Sequence, residues 1–217
     1  MANVKVILVV GASGMVGSHL CARLRDGYKV FGTYFKHKVD IPGVTMLPCN
    51  ADDRNHPKRS VYMARPDIII YAAGNNDVQW AEKHNKEADN HHANGPANVS
   101  NAADLFSPRF IYLSSCYTFD GSKGNYHEGD SMLPNTVLGK AKASGENFVR
   151  GKSINHVIIR SSQLYGRGNG MNLSQLDRLR MALDRRIRTE VSVQEFHNWA
   201  PVTGLVDLIV RVIDTGL

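Results

Sequence analysis

The sequence KVILVVGASGMVG, which runs from Lys5 to Gly17, decides the fold of this chain. Its first half is an apolar run of strand length, and the glycines that follow predict a tight turn that opens a helix. Gly11 permits the turn, Gly14 lets a phosphate approach the backbone, and Gly17 lets the helix pack closely against the strand. The amide groups at the start of such a helix attract anions. The segment therefore predicts a site for the pyrophosphate of a dinucleotide, with a strand-to-helix turn that binds nothing as the alternative.

Beyond this segment, predicted strands and helices alternate along the chain, which favours a mostly parallel sheet covered on both faces. We therefore predict an α/β fold with a Rossmann-type, doubly wound parallel sheet. The predicted strands are Lys5–Val10, Lys29–Tyr34, Val44–Leu47, Asp67–Ala72, Phe110–Ser114 and His156–Arg160. The predicted helices are Met15–Asp26, Pro57–Ala64, Glu82–Asp104, Val137–Arg150, Leu173–Asp184 and Val202–Asp214. Residues 1–165 form the predicted NAD(P)-binding domain, and the irregular stretch Tyr165–Asn172 opens a small distal lobe, residues 166–217, with a returning helix.

Composition and charge narrow the class of protein. The chain has 217 residues, of which 42% are hydrophobic and 21% are charged, so it can bury a sizeable core. Its longest apolar runs, Val4–Val10 and Ile68–Ala73, are too short to cross a membrane, and we expect neither a signal peptide nor a membrane partner. Three widely spaced cysteines fit a reducing compartment, so we expect a cytoplasmic protein. The net charge of +6 suits nucleic acid or a phosphate-rich small molecule, and because no nucleic-acid recognition motif accompanies it, we expect the small molecule.

The end of the second predicted strand bears on the choice of dinucleotide. In NAD-binding proteins an acidic residue at this point accepts hydrogen bonds from the ribose hydroxyls. Here Tyr34 is followed by the basic residues Lys36 and Lys38, and the first carboxylate is that of Asp40. Because a lysine attracts a 2′-phosphate, the sequence favours NADP, with NAD also open. The alternative interpretation of the two lysines is an exposed hairpin of charge.

Several further segments carry a resemblance to a known family. They are Gly11–Gly17, Pro66–Gly74, Ala81–Glu82, Asn94–Pro96, Ser114–Gly121, Gly139 with Lys142, Gly145–Glu146 and Arg160–Gly166. In this order and spacing the chain resembles the extended short-chain dehydrogenase/reductases, and most closely the dTDP-4-dehydrorhamnose reductase group. The resemblance implies NADP(H)-dependent reduction of a 4-keto sugar nucleotide. The distal substrate-binding lobe of that group continues beyond a segment like Val202–Asp214, so we expect the C-terminal lobe of this chain to be reduced or truncated.

The resemblance also implies which residues form the site. Ser115 would hydrogen-bond the substrate carbonyl, Lys142 would bind the nicotinamide ribose, and Asn94 would order the helix beneath the site. The cofactor-binding candidates are Gly11, Ser13, Gly14, Met15, Val16, Gly17, Tyr34, Lys36, Asn50, Ala72, Ala73, Gly74 and Lys142. No metal is expected. The alternatives are an ordinary strand-end hydroxyl for Ser115, an exposed helical lysine for Lys142 and a locally bonded amide for Asn94.

One departure from the family pattern concerns catalysis. Leu138 stands where the reductases place a tyrosine four residues before the lysine. Carbonyl reduction needs a proton at the developing alkoxide, and loss of a positioned general acid costs about a hundred- to ten-thousand-fold in rate. Two functions therefore stay open: an impaired reductase, or an inactive NADP-binding subunit similar to the regulatory partner of methionine adenosyltransferase. The expected partner is accordingly a sugar nucleotide or a protein, with a homo-oligomer also open. Three tyrosines from other loops, Tyr117, Tyr126 and Tyr165, are candidates to reach the site.

Overall fold

A computed structural model describes residues 4–152, 155–168, 174–190 and 198–216. The strands are β1 (Val6–Val10), β2 (Lys29–Tyr34), β3 (Val44–Pro48), β4 (Ile68–Tyr71), β5 (Arg109–Ser115), β6 (His156–Ser161), β7 (Gln163–Tyr165) and β8 (Trp199–Pro201). The helices are α1 (Met15–Leu24), α2 (His56–Ala64), α3 (Val78–Lys83), α4 (Asn85–Asp89), α5 (Gly95–Ala103), α6 (Val137–Lys152), α7 (Gln175–Asp184) and α8 (Val202–Thr215). A π-helical turn, Asn90–Asn94, connects α4 to α5, and a 3-10 turn, Cys116–Thr118, follows β5.

Six of the strands form one parallel sheet in the order β3-β2-β1-β4-β5-β6. β1 lies at its centre, where Ile7 pairs with Val30 of β2 on one side and with Ile68 of β4 on the other. The chain therefore winds outward in one direction after β1 and in the opposite direction after β4. Ligands of such sheets bind at the carboxyl ends of the strands beside this switch point. The predicted Rossmann-type, doubly wound sheet is confirmed.

The central strands are apolar on both faces because helices cover both faces. Ile7, Ile68 and Ile70 belong to one buried cluster, which α1 and α8 complete. Leu8 and Ile69 belong to the cluster on the other face, which α2, α5 and α6 complete. The side chains that α8 buries recur at helical spacing and are Val202, Leu205, Val206, Ile209, Val210 and Ile213. The returning helix thus packs on the sheet beside α1, while the division of the chain at residue 165 stays a prediction.

One predicted helix is wrong in its continuity. In place of a single helix over Glu82–Asp104, the chain forms α3, α4, the π-helical turn and α5. Within the π-helical turn, the carbonyl of His91 accepts a hydrogen bond of 2.7 Å from the Tyr71 hydroxyl. The next carbonyl, that of His92, accepts one of 2.7 Å from the Tyr112 hydroxyl. Two tyrosines of the sheet therefore hold the irregular turn in place from below.

The sequence does not predict two short strands, β7 and β8. β7 and β8 form a separate parallel pair, in which Leu164 lies opposite Ala200. Neither strand was predicted, because a three-residue strand shows no period. Residues 169–173, which include the second half of the predicted irregular stretch and the first residue of the predicted helix from Leu173, lie outside the described ranges. The helix α7 follows, and Ser174 caps its start. Nowhere in the described ranges does a helix combine the length and apolar character needed to span a bilayer.

Candidate functional site

The glycine-rich turn between β1 and α1 packs tightly against the segment that follows β4. Gly11 has a left-handed φ of +89°, and its N–H donates to Oγ1 of Thr33 at 3.1 Å. A Cβ atom at Gly11 would lie 2.7 Å from the backbone of Ala73, and one at Gly17 would lie 2.2 Å from the carbonyl oxygen of Gly11. Neither position therefore has room for a side chain: Gly11 lets the turn pack on the segment after β4, and Gly17 lets α1 pack against the turn.

The first turn of α1 has the character of an anion site. The helix begins at Met15, its N-cap is Gly14 without any side-chain hydrogen bond, and its first turn contains no acidic residue. The first N–H groups of a helix have no carbonyl partner within the helix, and the helix dipole makes this end positive. The amides of Met15, Val16 and Gly17 are therefore the groups that would bind a pyrophosphate, next to Ser13 in the preceding turn.

The other cofactor candidates lie along the same edge of the sheet. They are Tyr34 at the end of β2, Asn50 after β3, and Ala72, Ala73 and Gly74 after β4. The N–H of Ala72 donates to the carbonyl of Val10 at 2.9 Å, which joins the end of β4 to the end of β1. The N–H of Cys49 donates to the carbonyl of Tyr34 at 2.8 Å, which joins the segment before Asn50 to the end of β2. The candidates that follow three strands thus lie at the edge of the sheet that carries the glycine-rich turn, and their binding roles stay predictions.

The two lysines after β2 differ in their surroundings. Nζ of Lys38 lies 3.6 Å from Oδ1 of Asp40 in an exposed ion pair. Nζ of Lys36 lies 5.6 Å from the ring centroid of Phe35 and has no ion-pair partner within the described residues. A 2′-phosphate would therefore meet an uncompensated charge at Lys36 and a compensated one at Lys38.

Ser115 ends β5 at the same edge of the sheet. It pairs with Ser161 of β6 and is half-buried. Its Oγ accepts the N–H of Tyr117 at 3.3 Å and so caps the 3-10 turn. The Ser115 side chain therefore has a structural contact of its own, as the alternative interpretation expected, and it also lies where the resemblance requires a carbonyl-binding hydroxyl.

Lys142 is buried, with only 4% of its surface exposed, so its interpretation as an exposed helical lysine is wrong. Its Nζ donates to the carbonyl of Leu113 at 2.8 Å and lies 5.5 Å from the ring centroid of Tyr112. Burial lowers the pKa of this amine from 10.5 to about 7, while the nearby charge of Glu146 acts in the opposite direction. Near neutral pH, Lys142 can therefore be present in both protonation states.

Glu146, one turn along α6 from Lys142, is the centre of a buried polar network. Its carboxylate is completely buried and accepts a hydrogen bond from Oγ of Ser114 at 2.5 Å. Nε and Nη2 of Arg160 donate to its two oxygens at 2.9 and 2.8 Å, and Nη2 of Arg150 donates at 3.1 Å. Glu146 lies in a segment that carries the family resemblance, but the sequence alone does not indicate its role. Its position shows that it fixes α6, and with it Lys142, against β5 and β6.

Leu138 lies one helical turn before Lys142 on the same face of α6. Its side chain is completely buried in a small apolar cluster with Ala81, Ala88 and Ala141, and the ring of Tyr117 packs against this cluster. The position that carries a tyrosine in the reductases is therefore occupied here by a well-packed apolar side chain.

Asn94 makes the local contact that its alternative interpretation describes. Asn94 is exposed, and its amide donates to Oδ1 of Asn90 at 3.0 Å, so it does not order the region beneath the site. His92 is the completely buried polar residue of this helix, and its Nε2 bonds the carbonyl of Asn75 at 2.8 Å. Because a carbonyl only accepts, Nε2 carries the proton and Nδ1 is an acceptor. Burial holds the pKa of His92 well below its usual value, so the ring is neutral. Within the described ranges, no group of three His, Cys, Asp or Glu side chains is placed to hold a metal ion.

Comparison with known proteins identifies a family and several relatives by sequence. The family profile described as RmlD substrate binding domain matches residues 5–215. The dTDP-4-dehydrorhamnose reductase of Aggregatibacter actinomycetemcomitans is 31% identical over 192 residues, which cover 87% of this chain and 60% of that protein. Methionine adenosyltransferase 2 subunit beta of Bos taurus is 28% identical over 164 residues, which cover 74% of this chain and 47% of that protein. The chain thus spans less than two thirds of the length of these relatives.

A solved structure is similar over almost the whole chain. The dTDP-4-dehydrorhamnose reductase of Bacillus anthracis, in complex with NADP, superposes with a TM-score of 0.84 at 25% identity, covering 99% of this chain and 72% of that one. The expected resemblance is therefore confirmed in sequence and in fold. With a profile match that extends from the first strand to the last helix, this chain belongs to the RmlD substrate-binding domain family.

Proposed function

We propose that this protein is an NADP(H)-dependent reductase of a 4-keto sugar nucleotide. The observation that carries the proposal is that Ser115 ends β5 at the same edge of the sheet as the glycine-rich turn, while the buried amine of Lys142 bonds Leu113 of the same strand. A buried lysine is costly, because burial disfavours its charged form, and such residues concentrate at functional sites. Relatives named dTDP-4-dehydrorhamnose reductase, one of them solved with NADP, support the substrate class and the cofactor.

The chain offers a binding group for each part of NADP. The amides at the start of α1 would bind the pyrophosphate, and the absence of an acidic residue and of a side-chain cap in the first turn of this helix supports this role. Lys36 would bind the 2′-phosphate, Asn50 would hydrogen-bond the adenine, and the segment after β4 would line the nicotinamide half. Bound NADPH would supply the hydride.

Ser115 and Lys142 would serve the substrate and the ribose. The Ser115 hydroxyl would donate a hydrogen bond to the keto oxygen and stabilise the negative charge that develops there. The amine of Lys142 would hydrogen-bond the nicotinamide ribose and, in its protonated state, add positive charge beside the alkoxide. Because Leu138 supplies no proton, the proton for the keto oxygen must come from another group, and we propose turnover below that of a reductase with a tyrosine at this position.

A second function is supported by two observations. Leu138 is fully packed in an apolar cluster, and a relative of this chain is named methionine adenosyltransferase 2 subunit beta. The alternative proposal is therefore an NADP-binding regulatory subunit without catalysis, whose partner is a protein. Both proposals place the protein in the cytoplasm, which the free thiols of Cys21, Cys49 and Cys116 support.

Two measurements separate these functions. NADPH fluorescence should change on binding under both, whereas only the reductase consumes NADPH when dTDP-4-dehydrorhamnose is added. Ser115→Ala and Lys142→Met should reduce that consumption, and Ser144→Ala, at an exposed position of α6, should not. Binding without any consumption would favour the regulatory function. No binding of NADPH or NADH would contradict both.

A further inference from the structure

We propose that Tyr117 is the general acid of this protein and replaces the tyrosine that is missing at position 138. The inference rests on the proposed reductase function and names a catalytic residue of the same site. Leu138 has no proton to give, yet reduction of a carbonyl to an alcohol requires one. The candidates are therefore hydroxyl groups that the fold brings to the edge where β5 and β6 end.

The three tyrosines of nearby loops occupy different surroundings. The hydroxyl of Tyr126 donates to Oδ1 of Asp120 at 2.5 Å, and its ring stacks on Phe119 with centroids 4.3 Å apart. This tyrosine therefore holds its own loop together. Tyr165 is exposed at the end of β7. Tyr117 alone among the three packs against the cluster that contains Leu138.

The backbone holds Tyr117 at the start of α6. A Cβ atom at Gly139 would lie 2.0 Å from the carbonyl oxygen of Tyr117, so the 3-10 turn rests directly on the residue after Leu138. The N–H of Tyr117 donates to Oγ of Ser115 at 3.3 Å. The tyrosine, the carbonyl-binding serine and the position of the missing tyrosine are thus joined through one short turn.

The hydroxyl of Tyr117 lies against Gln163, the first residue of β7. The side-chain amide of Gln163, two residues beyond the Ser161 that pairs with Ser115, donates to this hydroxyl oxygen. A hydrogen bond donated to the oxygen stabilises the phenolate that forms when the proton leaves. The phenol therefore lies at the carboxyl end of the strands, with a donor placed to support proton transfer.

The chemical step balances with the groups named. Bound NADPH would supply a hydride to the keto carbon, and the π-electron pair of the carbonyl would move to its oxygen. That oxygen forms a bond to the Tyr117 proton as the O–H bond of the phenol breaks, which leaves the alcohol, NADP⁺ and a phenolate. Solvent returns the proton to Tyr117 after the product leaves.

The test is Tyr117→Phe, which keeps the ring and its packing and removes the hydroxyl. Its control is Tyr62→Phe, an exposed tyrosine of α2 whose ring packs on Phe106. With dTDP-4-dehydrorhamnose, Tyr117→Phe should turn over at least about 100-fold more slowly than wild type, with NADPH affinity unchanged, and the control should match wild type. Leu138→Tyr is a poorer test, because a larger side chain in a filled cluster destabilises the fold.

A second readout does not depend on turnover. The oxidised nicotinamide carries a positive charge, so NADP⁺ binding should increase tyrosinate absorbance in wild type at mildly alkaline pH, and NADPH binding should not. Tyr117→Phe should lose this difference signal and Tyr62→Phe should keep it. Persistence of the signal in Tyr117→Phe, or full turnover by that variant, would overturn the role of Tyr117 and leave the reductase function intact. Absence of turnover in wild type that binds NADPH would overturn both.

Discussion

Replacing Glu146 with glutamine should reduce the free energy of unfolding by about 3–5 kcal/mol, the usual effect of breaking a buried ion pair from one side. The carboxylate is completely buried and accepts four hydrogen bonds, two of them from Arg160. The side chain of Arg160 is only 13% exposed, so its charge would lose its partner without gaining water. Arg150 is 47% exposed and should contribute little to the loss.

The glutamine side chain cannot restore this network. Its oxygen can still accept from two donors, but in either orientation its NH₂ group would face an N–H of Arg160, where a carboxylate oxygen now accepts. Urea unfolding followed by circular dichroism measures the effect directly. For a chain of this size, a loss of 3–5 kcal/mol corresponds to a fall in Tm of roughly 6–20 °C.

Glu87→Gln provides the control, because Glu87 is an exposed residue of α4 and its variant should stay within about 0.5 kcal/mol of wild type. A loss below about 1 kcal/mol for Glu146→Gln would refute the reasoning. Such a result would mean that the Arg160 contact behaves like an exposed ion pair, despite its burial.

Three further outcomes are expected. Lys36→Glu should weaken NADPH binding about tenfold more than NADH binding, because Lys36 has no ion-pair partner among the described residues. Lys38→Glu should have a smaller effect, because Lys38 is already paired with Asp40. Equal losses for both cofactors in a fluorescence titration would show that Lys36 does not bind the 2′-phosphate. Because burial lowers the pKa of Lys142 from 10.5 to about 7, the unfolded chain binds a proton between these pH values that the folded chain lacks, so this lysine makes stability rise with pH across that window. Lys142→Met should abolish this contribution, and parallel stability curves for the two proteins in urea unfolding would contradict it. Gly17→Ala should abolish dinucleotide binding and lower the free energy of unfolding by about 1–3 kcal/mol or more. Gly27→Ala should change neither property, because no atom lies within 4 Å of the added Cβ. Calorimetric titration with NADPH measures the binding.

The sheet could be predicted from the sequence because the two strands at its centre, β1 and β4, are short apolar runs. Lys29–Tyr34 has the predicted bounds, and Ile68–Tyr71 lies within the predicted strand. Strands buried on both faces leave few other interpretations. The glycine-rich turn could be predicted for a similar reason, since few other residues fit where a Cβ meets backbone at under 3 Å.

The helix beneath the site could not be predicted in the same way. A π-helical turn has more residues per turn than an α-helix, so it rotates the face that the following residues present. An α-helical period therefore does not identify the buried residue of this turn, which is His92, and Asn94 followed only from the resemblance. The turn is held by hydroxyls of Tyr71 and Tyr112, which lie on distant strands and carry no local signal.

The protonation chemistry of the site also depends on tertiary structure. Periodicity leaves Lys142 equally suited to an exposed or a buried face of α6. Only the packing of α6 on β5 places its amine against the carbonyl of Leu113. The same packing seals Leu138 and brings Tyr117 to it, which the spacing of the two residues in the sequence does not indicate.

The strand order has a consequence for how the protein reaches its native state. Every neighbouring pair in the six-stranded sheet is parallel, so no pair can form through a tight hairpin. The central strand β1 pairs with β4, in which Ile68 lies opposite Ile7, only after the intervening chain has been brought together. Contacts between such remote segments make refolding slow and leave unpaired strand edges exposed in the meantime. We therefore expect the yield of renatured protein to fall as its concentration rises, and to improve when refolding proceeds from dilute solution.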